Sequence, residues 1–323
     1  MPKTPAVSVV IPAFNAAIVV RETLDSVCAQ TFRDFEVIVV DDGSTDDTAV
    51  VVRKFCAADA RFRFLQQSRG GASAARNAAI KQARGGWIAF LDADDVWLPQ
   101  KLARQMELSR KDPRANFLFT NFFMWNGKDD LSVWFRDDRP LPEGDVSRKL
   151  VFNVSHSGAV TMSTVMMRRE MLHTDGPFDL EMVNAEDWDL LLRMAERGLC
   201  VRGTREPLAR YRRWSGNKSG RKLEMARGDV AVLEKNLHAT QRPDLRPLYE
   251  RSLAHARGRL ELARARQLLD SQPEAVPGAI WQAWRQQPRR LKWLMWFALA
   301  AWPDFLGGAA GARIVHRKLI QKF

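Results

Sequence analysis

Little in this chain could build a covalent framework. Its 323 residues include three cysteines, Cys28, Cys56 and Cys200, odd in number and far apart. That spacing gives no disulfide scaffold and no metal-binding thiol pair, so a reducing, cytoplasmic setting fits and the thiols read as structural. No window offers ~18 uninterrupted apolar residues, so no confident membrane span is expected. The N-terminal "MPKTPAVSVVIPAFN" shows no basic-then-apolar leader. There is no Gly-Lys-Ser/Thr phosphate loop and no GxGxxG. A calcium loop closed by glutamate is absent as well.

What is present argues for a large, ordered protein. A hydrophobic fraction of 46% supports a real core and excludes disorder. The net charge of +12 is unevenly placed. From Arg221 to Phe323 there are 19 Lys and Arg against 9 Asp and Glu, a difference of +10, which leaves +2 for the first 220 residues. The basic segment suits an anionic surface or simple solubility; it carries no recognisable nucleic-acid motif, and no nucleic-acid partner is expected.

The first half alternates two patterns. "VSVVIPAF" (7–14), "FEVIVVDD" (35–42), "RFRFLQ" (61–66) and "GWIAFLD" (86–92) have strand length and β-branched or apolar character. Between them lie helical stretches. In 16–30, Ile18, Leu24 and Val27 fall on one face; 43–56 offers Ser44 or Thr45 as N-cap; 70–83 is built of small residues; and Pro99 opens a helix in its first turn. Such alternation predicts an α/β fold with a mostly parallel central sheet covered on both faces. Residues 115–214 mix strands with a short helix over "EDWDLLLRMAERG", and from about Lys222 the chain reads as helical. A boundary near residue 220 separates a catalytic domain, 1–220, from a C-terminal all-helical region, 221–323.

Acidic residues gather at two predicted strand ends, Asp41–Asp42 and Asp92–Asp95. In parallel sheets ligands bind beyond the carboxyl ends of the strands. Three carboxylates within "DADD" repel one another unless a cation lies between them. Oxygen-only donors suit Mg²⁺ or Mn²⁺, ions that keep positions open for substrate phosphates. Two other readings fit these residues in isolation: an acidic turn capping the following helix, or a phosphatase-type DxDx[TV] run ending at Val96.

"VSVVIPAFN", "VIVVDDGSTDDT", "GGASAARNAAI", "WIAFLDADDVW" and "AEDWDLLLR" occur in one order and spacing. Together they resemble glycosyltransferase family 2, whose members carry the GT-A fold and use nucleotide-diphosphate sugars. The resemblance spans residues 7 to about 214. It implies that Pro12 and Asn15 begin the nucleotide pocket, that Asp42 contacts the base and that Arg76 lies near the nucleotide. Asp92 and Asp94 match the DxD motif, with Asp94 the metal ligand and Asp92 supporting the metal or the ribose; Asp95 matches a supporting neighbour. Asp187, second of the "ED" pair, matches the general base of an inverting transfer, while Asp189 reads as a cap or surface residue. Arg212, Arg213 and Lys218 match a basic loop that closes over the diphosphate. Ala16 and Ala17 stand where family members often carry an acid. The acceptor would be a saccharide or a lipid-linked molecule.

In the C-terminal third, 222–270 reads as two Arg-rich helices broken near Pro243 and Pro247. Trp281, Trp284, Trp293, Trp296 and Trp302 then mingle with Arg289, Arg290 and Lys292. Tryptophan beside basic residues suits a membrane surface, and a peripheral position on the inner face of the cell membrane is expected; a cap packed on the catalytic domain is the alternative. Two other functions remain open from the residues. A sugar-1-phosphate nucleotidyltransferase would want a Gly-rich N-terminal loop, which "IPAFNAAIVV" lacks. A non-catalytic carbohydrate- or nucleotide-binding scaffold would not need intact DxD and ED pairs.

Overall fold

A computed structural model describes residues 4–135, 141–152, 161–172, 176–182, 184–213 and 222–286. Trp214, Lys218, His156, His173 and the stretch from Arg289 through Trp302 lie outside the described residues. The described residues group into two compact units, one holding the sheet and the other the late helices.

The first unit opens with β1 (Val7–Ala13), α1 (Val20–Cys28), β2 (Phe35–Asp41), α2 (Thr48–Ala58), β3 (Phe62–Gln66), α3 (Gly71–Gln82) and β4 (Trp87–Phe90). β5 (Val96–Trp97), α4 (Lys101–Lys111), β6 (Phe117–Trp125), β7 (Asp130–Val133), β8 (Gly144–Asp145) and α5 (Ser147–Phe152) follow. β9 (Val165–Arg168), α6 (Glu186–Ala195) and β10 (Cys200–Arg212) complete it. The strands form one sheet in the order β3-β2-β1-β4-β9-β6-β10-β5, with β7 on β6 and β8 on β10. β1, β2, β3 and β4 pair in parallel, and so do β6 and β10; β9 runs antiparallel between β4 and β6.

Alternation along each strand explains the two-sided burial. Val7, Val9 and Ile11 of β1 join Val37 and Val39 of β2 in one apolar cluster, with Val20, Leu24 and Val27 of α1, Val52 of α2 and Leu102 of α4. Val10, Ile38 and Val40 face the opposite cluster, with Ala75, Ala79 and Ile80 of α3 and Leu190 and Met194 of α6. A strand buried on both faces reads as an unbroken apolar run, which is why these strands are legible. The small residues of α3 bring that helix close to the sheet.

Four local expectations need correction. α1 starts at Val20, so its buried face runs Val20, Leu24, Val27 at helical spacing, while Ile18 lies in the preceding turn and is 97% exposed. Neither Ser44 nor Thr45 caps α2, which begins at Thr48; both instead bind the loop after β1. Pro99 precedes α4 rather than occupying its first turn, and its carbonyl accepts the Thr31 N–H. Asp189 is fully buried, paired with Arg193 one turn on at 2.8 Å.

The second unit contains α7 (Lys222–Ala239), α8 (Arg246–Ser271) and α9 (Val276–Gln286). Pro243 falls between α7 and α8, and Pro247 sits in the first turn of α8, where a missing N–H costs nothing. Leu262 and Ala265 of α8 pack on Val276, Ile280 and Ala283 of α9, and the Trp281 and Trp284 rings stack with centroids 4.8 Å apart.

Candidate active site

The strand order turns back between β1 and β4, and the loops after these two strands flank that switch point. An open parallel sheet has its natural crevice there. The loop after β1 carries Asn15 in the left-handed region at φ 46°. Its side-chain Oδ1 accepts the Thr45 N–H at 2.9 Å, and its own N–H donates to Ser44 Oγ at 2.9 Å. The next N–H groups, of Ala16 and Ala17, donate to Thr48 Oγ1 and Asp46 Oδ2 at 2.8 and 3.0 Å. The turn after β1 is thereby tied to the turn after β2. Pro12 lies half-buried near the end of β1.

Asp41 and Asp42 are both buried and well supplied with donors. Asp41 accepts the Ser44 N–H and the Gln66 amide at 3.0 and 3.1 Å. Asp42 accepts the Gln67 amide and the N–H groups of Gly70 and Gly71, each at 2.8 Å. Gly71 sits at φ 87°, a conformation that glycine adopts without a Cβ penalty. The glycine pair thus lets the start of α3 wrap the Asp42 carboxylate.

The second acidic cluster has a different environment. Arg76 of α3 is buried and donates to Asp92 Oδ1 at 2.7 Å and to Glu186 Oε1 at 3.2 Å. One guanidinium therefore joins the DxD turn after β4 to the acidic start of α6. Burial works against the Arg76 charge, but Asp92, Glu186 and Asp187 outweigh it, so its pKa is raised above the ordinary arginine value. Its Nε is buried without a hydrogen-bond partner. Asn77, the next residue, holds Phe178 by a reciprocal pair, its amide donating to Phe178 O at 2.7 Å and its Oδ1 accepting the Phe178 N–H at 2.9 Å.

Asp95 is 1% exposed. It accepts the Ser163 hydroxyl and, at 2.8 Å, the Arg212 N–H. Burial pushes its pKa well above the usual carboxylate range, Asp94 and Asp92 push the same way, and those two hydrogen bonds pull back. Ser163 Oγ in turn accepts the Asp92 N–H at 3.1 Å. The Arg212 side chain donates from Nε to the Asp94 carbonyl at 2.7 Å and from Nη2 to Glu22 of α1 at 2.6 Å. Arg213 is exposed, its N–H bound to Trp125 O at 2.7 Å.

Asp187 occupies the first turn of α6, partly exposed, with Oδ1 accepting the Trp188 N–H at 2.8 Å. The residue before that helix, Ala185, has φ 66°. Asn15 and Ala185 are the non-glycine residues with positive φ among the described residues, the first in the turn after β1 and the second just before α6; held conformations of this kind concentrate at functional sites.

Asp92 and Asp94 form a hard-oxygen pair, both partly exposed. No group of three or more His, Cys, Asp or Glu converges as a metal site among the described residues. An incomplete pair of carboxylates still fits Mg²⁺ or Mn²⁺, which take one or two carboxylates and fill the rest with water and substrate phosphates. Sequence reasoning left Ser163, Glu22 and Asn77 without a role. Ser163 sits in "MSTVMM", which reads as core, and nothing local distinguishes Glu22 from any exposed helical acid.

Residues 8–173, just over half the chain, match the family described as Glycosyl transferase family 2. A UDP-Glc:alpha-D-GlcNAc-diphosphoundecaprenol beta-1,3-glucosyltransferase, WfgD of Escherichia coli, is 32% identical over 187 residues, covering 58% of this chain and 68% of that one. The putative teichuronic acid biosynthesis glycosyltransferase TuaG of Bacillus subtilis is 29% identical over 69% of this chain and 85% of its own. Among solved structures, S. aureus TarS 1-349 aligns over 98% of this chain and 92% of that one, with TM-score 0.64 and 19% identity. The Pyrobaculum calidifontis mannosyltransferase PcManGT, solved with GDP-Man and Mn2+, aligns over 100% and 88% with TM-score 0.60 and 20% identity. The fold is GT-A, and the chain is a glycosyltransferase belonging to glycosyl transferase family 2.

Proposed function

We propose that this chain is an inverting, metal-dependent glycosyltransferase acting in cell-surface polysaccharide or glycolipid synthesis. Its donor is a nucleoside-diphosphate sugar, and its acceptor is a hydroxyl on a saccharide or lipid-linked molecule. The observation that carries this reading is the Arg76 bridge, which sets the DxD turn beside the acidic start of α6. The activity for which WfgD is named, with UDP-Glc and a diphosphoundecaprenol acceptor, supports this donor and acceptor class. The GDP-Man and Mn2+ of PcManGT support a metal-assisted donor. Catalysis is assigned to residues 1–220, with 221–323 a basic helical region.

Asp94, with Asp92, would hold Mg²⁺ or Mn²⁺, which supplies charge stabilisation to the departing diphosphate. Asp187 takes the proton from the acceptor hydroxyl as that oxygen bonds to the sugar C1. The C1–oxygen bond to the diphosphate breaks on the opposite face, so the configuration inverts. Pro12, Asn15 and Asp42 frame the nucleotide side, with Arg76 and Arg213 at its basic margin.

Asp187→Asn tests the assignment. Transfer falls by about 10²–10⁴-fold, the usual contribution of a general base, while calorimetric binding of the donor is unchanged. Surviving transfer would move the base elsewhere. A screen of product release across UDP- and GDP-sugars identifies the donor. The basic C-terminal region is also assigned to an anionic membrane surface. The full chain should sediment with vesicles containing anionic lipid and not with zwitterionic ones; equal behaviour toward both would refute that assignment.

A further inference from the structure

Arg212 terminates β10, the strand that pairs with β6 on one side and β5 on the other. A basic residue at this place is expected to reach for a diphosphate. Its actual contacts point inward to the acidic turn. The backbone N–H holds the Asp95 carboxylate, Nε holds the Asp94 carbonyl, and the guanidinium lies over the Trp125 ring at 4.1 Å. Nη2 meets the Glu22 carboxylate at 2.6 Å, from the first turn of α1. The Arg212 side chain is 13% exposed and that of Glu22 51%. From the other side Ser163 binds both the Asp92 N–H and the Asp95 carboxylate.

We infer that Arg212 is a positioning residue for the metal: it fixes the Asp92–Asp95 turn in the shape that presents Asp94, and Glu22 fixes Arg212. The inference rests on the reading of Asp94 as a metal ligand. The physical reason is local. A peptide carbonyl and a carboxylate on neighbouring residues, bound by one arginine, lose the freedom to rotate apart. The Asp94 side chain between them is then directed by a backbone that is already fixed. The cation beside a metal site would by itself repel Mg²⁺ or Mn²⁺; Glu22 both orients the guanidinium and offsets its charge. Lysine cannot reproduce the arrangement, since its single ammonium lacks the planar fork that spans two acceptors.

Two readings of Arg212 predict opposite signs at Glu22. If Arg212 positions the turn, Glu22→Gln loosens it and weakens metal binding. If Arg212 instead swings out to grip phosphates, Glu22→Gln frees it and tightens nucleotide binding. The experiment uses the full chain with Glu22→Gln, Arg212→Lys, Arg212→Gln, the Glu22→Gln/Arg212→Gln double variant and Asp94→Asn. Mn²⁺ binding is read by electron paramagnetic resonance, alone and with saturating UDP or GDP. Binding of UDP and GDP is also measured calorimetrically in EDTA. Substitutions of groups that orient metal ligands commonly cost about 10–100-fold in affinity. Arg212→Gln is expected to weaken Mn²⁺ binding by roughly tenfold, with Arg212→Lys close behind and Glu22→Gln at about threefold. The double variant should be no worse than Arg212→Gln, and metal-free nucleotide binding should be unchanged in all. Tighter UDP or GDP binding by Glu22→Gln, with unaltered Mn²⁺ affinity, overturns the inference. So does loss of Mn²⁺ binding in Asp94→Asn alongside full affinity in the Arg212 variants. Unchanged Mn²⁺ affinity in Asp94→Asn would refute the ligand assignment itself and this inference with it. Glu22→Gln, at an exposed position, keeps the test intact if the Arg212 variants fold poorly.

Discussion

At the amino end of the sheet Glu36 is buried among donors; at the carboxyl end Asp95 is buried among acids. Glu36, second residue of β2, is 2% exposed. Its Oε1 accepts the Ser8 hydroxyl and the Arg84 N–H, both at 2.7 Å, and its Oε2 accepts Arg84 Nη2 at 2.7 Å and Arg63 Nη1 at 3.3 Å. Burial alone would raise its pKa, but the Arg84 and Ser8 hydrogen bonds hold it below the usual glutamate range. Asp95 has two donors and two acidic neighbours, and its pKa moves the other way. The same residue class, at opposite ends of one sheet, is closed at one end and left short of positive charge at the other. Arginines within the chain complete the amino end. At the carboxyl end the reading above leaves a cation from outside to complete it. A burial figure does not separate these cases; the count of donors against acids does.

Substituting the isosteric amide at each end sharpens the contrast. The larger effect belongs to Glu36→Gln. Ser8 can rotate to accept, but a fixed donor faces each oxygen, the Arg84 N–H at Oε1 and the Arg84 and Arg63 guanidinium groups at Oε2, so either orientation of the amide sets its NH₂ against a donor. Loss of charge-assisted bonds and one such clash should cost about 2–3 kcal/mol, discounted for the half-exposed Arg84. The pH dependence carries a definite sign. A carboxyl whose folded pKa lies below its unfolded value of ~4.3 stabilises the protein above that value, and the contribution disappears as pH falls through the folded pKa. Denaturant curves of the parent and Glu36→Gln should therefore differ at neutral pH and converge in acid. A constant gap across that window would break the comparison at this end.

The same contrast decides what could be read before the fold was known. β1, β2 and β4 are legible because two-sided burial leaves unbroken apolar runs, and acids at the ends of β2 and β4 mark the crevice. The insertion of β9 between β4 and β6 is not legible: β9 begins at Val165, far along the chain from β4, and its apolar run gives no clue to its neighbours. β5 is too short, at two residues, to carry a periodic signal. Asp42 and Asp92 stand out as acids at strand ends, and the family resemblance singles out Arg76 and Asp187, whereas the groups that hold them do not stand out. Glu22 and Arg212 are 190 positions apart; Glu22 looks like an ordinary surface charge, and the resemblance points Arg212 at the diphosphate rather than at the acidic turn. Asp189 misled for the opposite reason, since acids at a helix start usually face solvent and this one is sealed by Arg193.

The smaller effect belongs to Asp95→Asn. Its two donors differ in kind: the Arg212 N–H can only donate, but the Ser163 hydroxyl can rotate and accept. The amide can thus place its oxygen toward Arg212 and its NH₂ toward Ser163, keeping both bonds. Removing a buried negative charge beside Asp94 and Asp92 also relieves repulsion. The retained bonds are weaker once neutral, which opposes the relief of repulsion, and the change in unfolding free energy should stay within about 1 kcal/mol of zero. Denaturant titration of the metal-free chain measures it directly. A loss comparable to that of Glu36→Gln would mean that the carboxyl end is as fully satisfied as the amino end, and the case for an external cation at the DxD turn would lose its electrostatic basis.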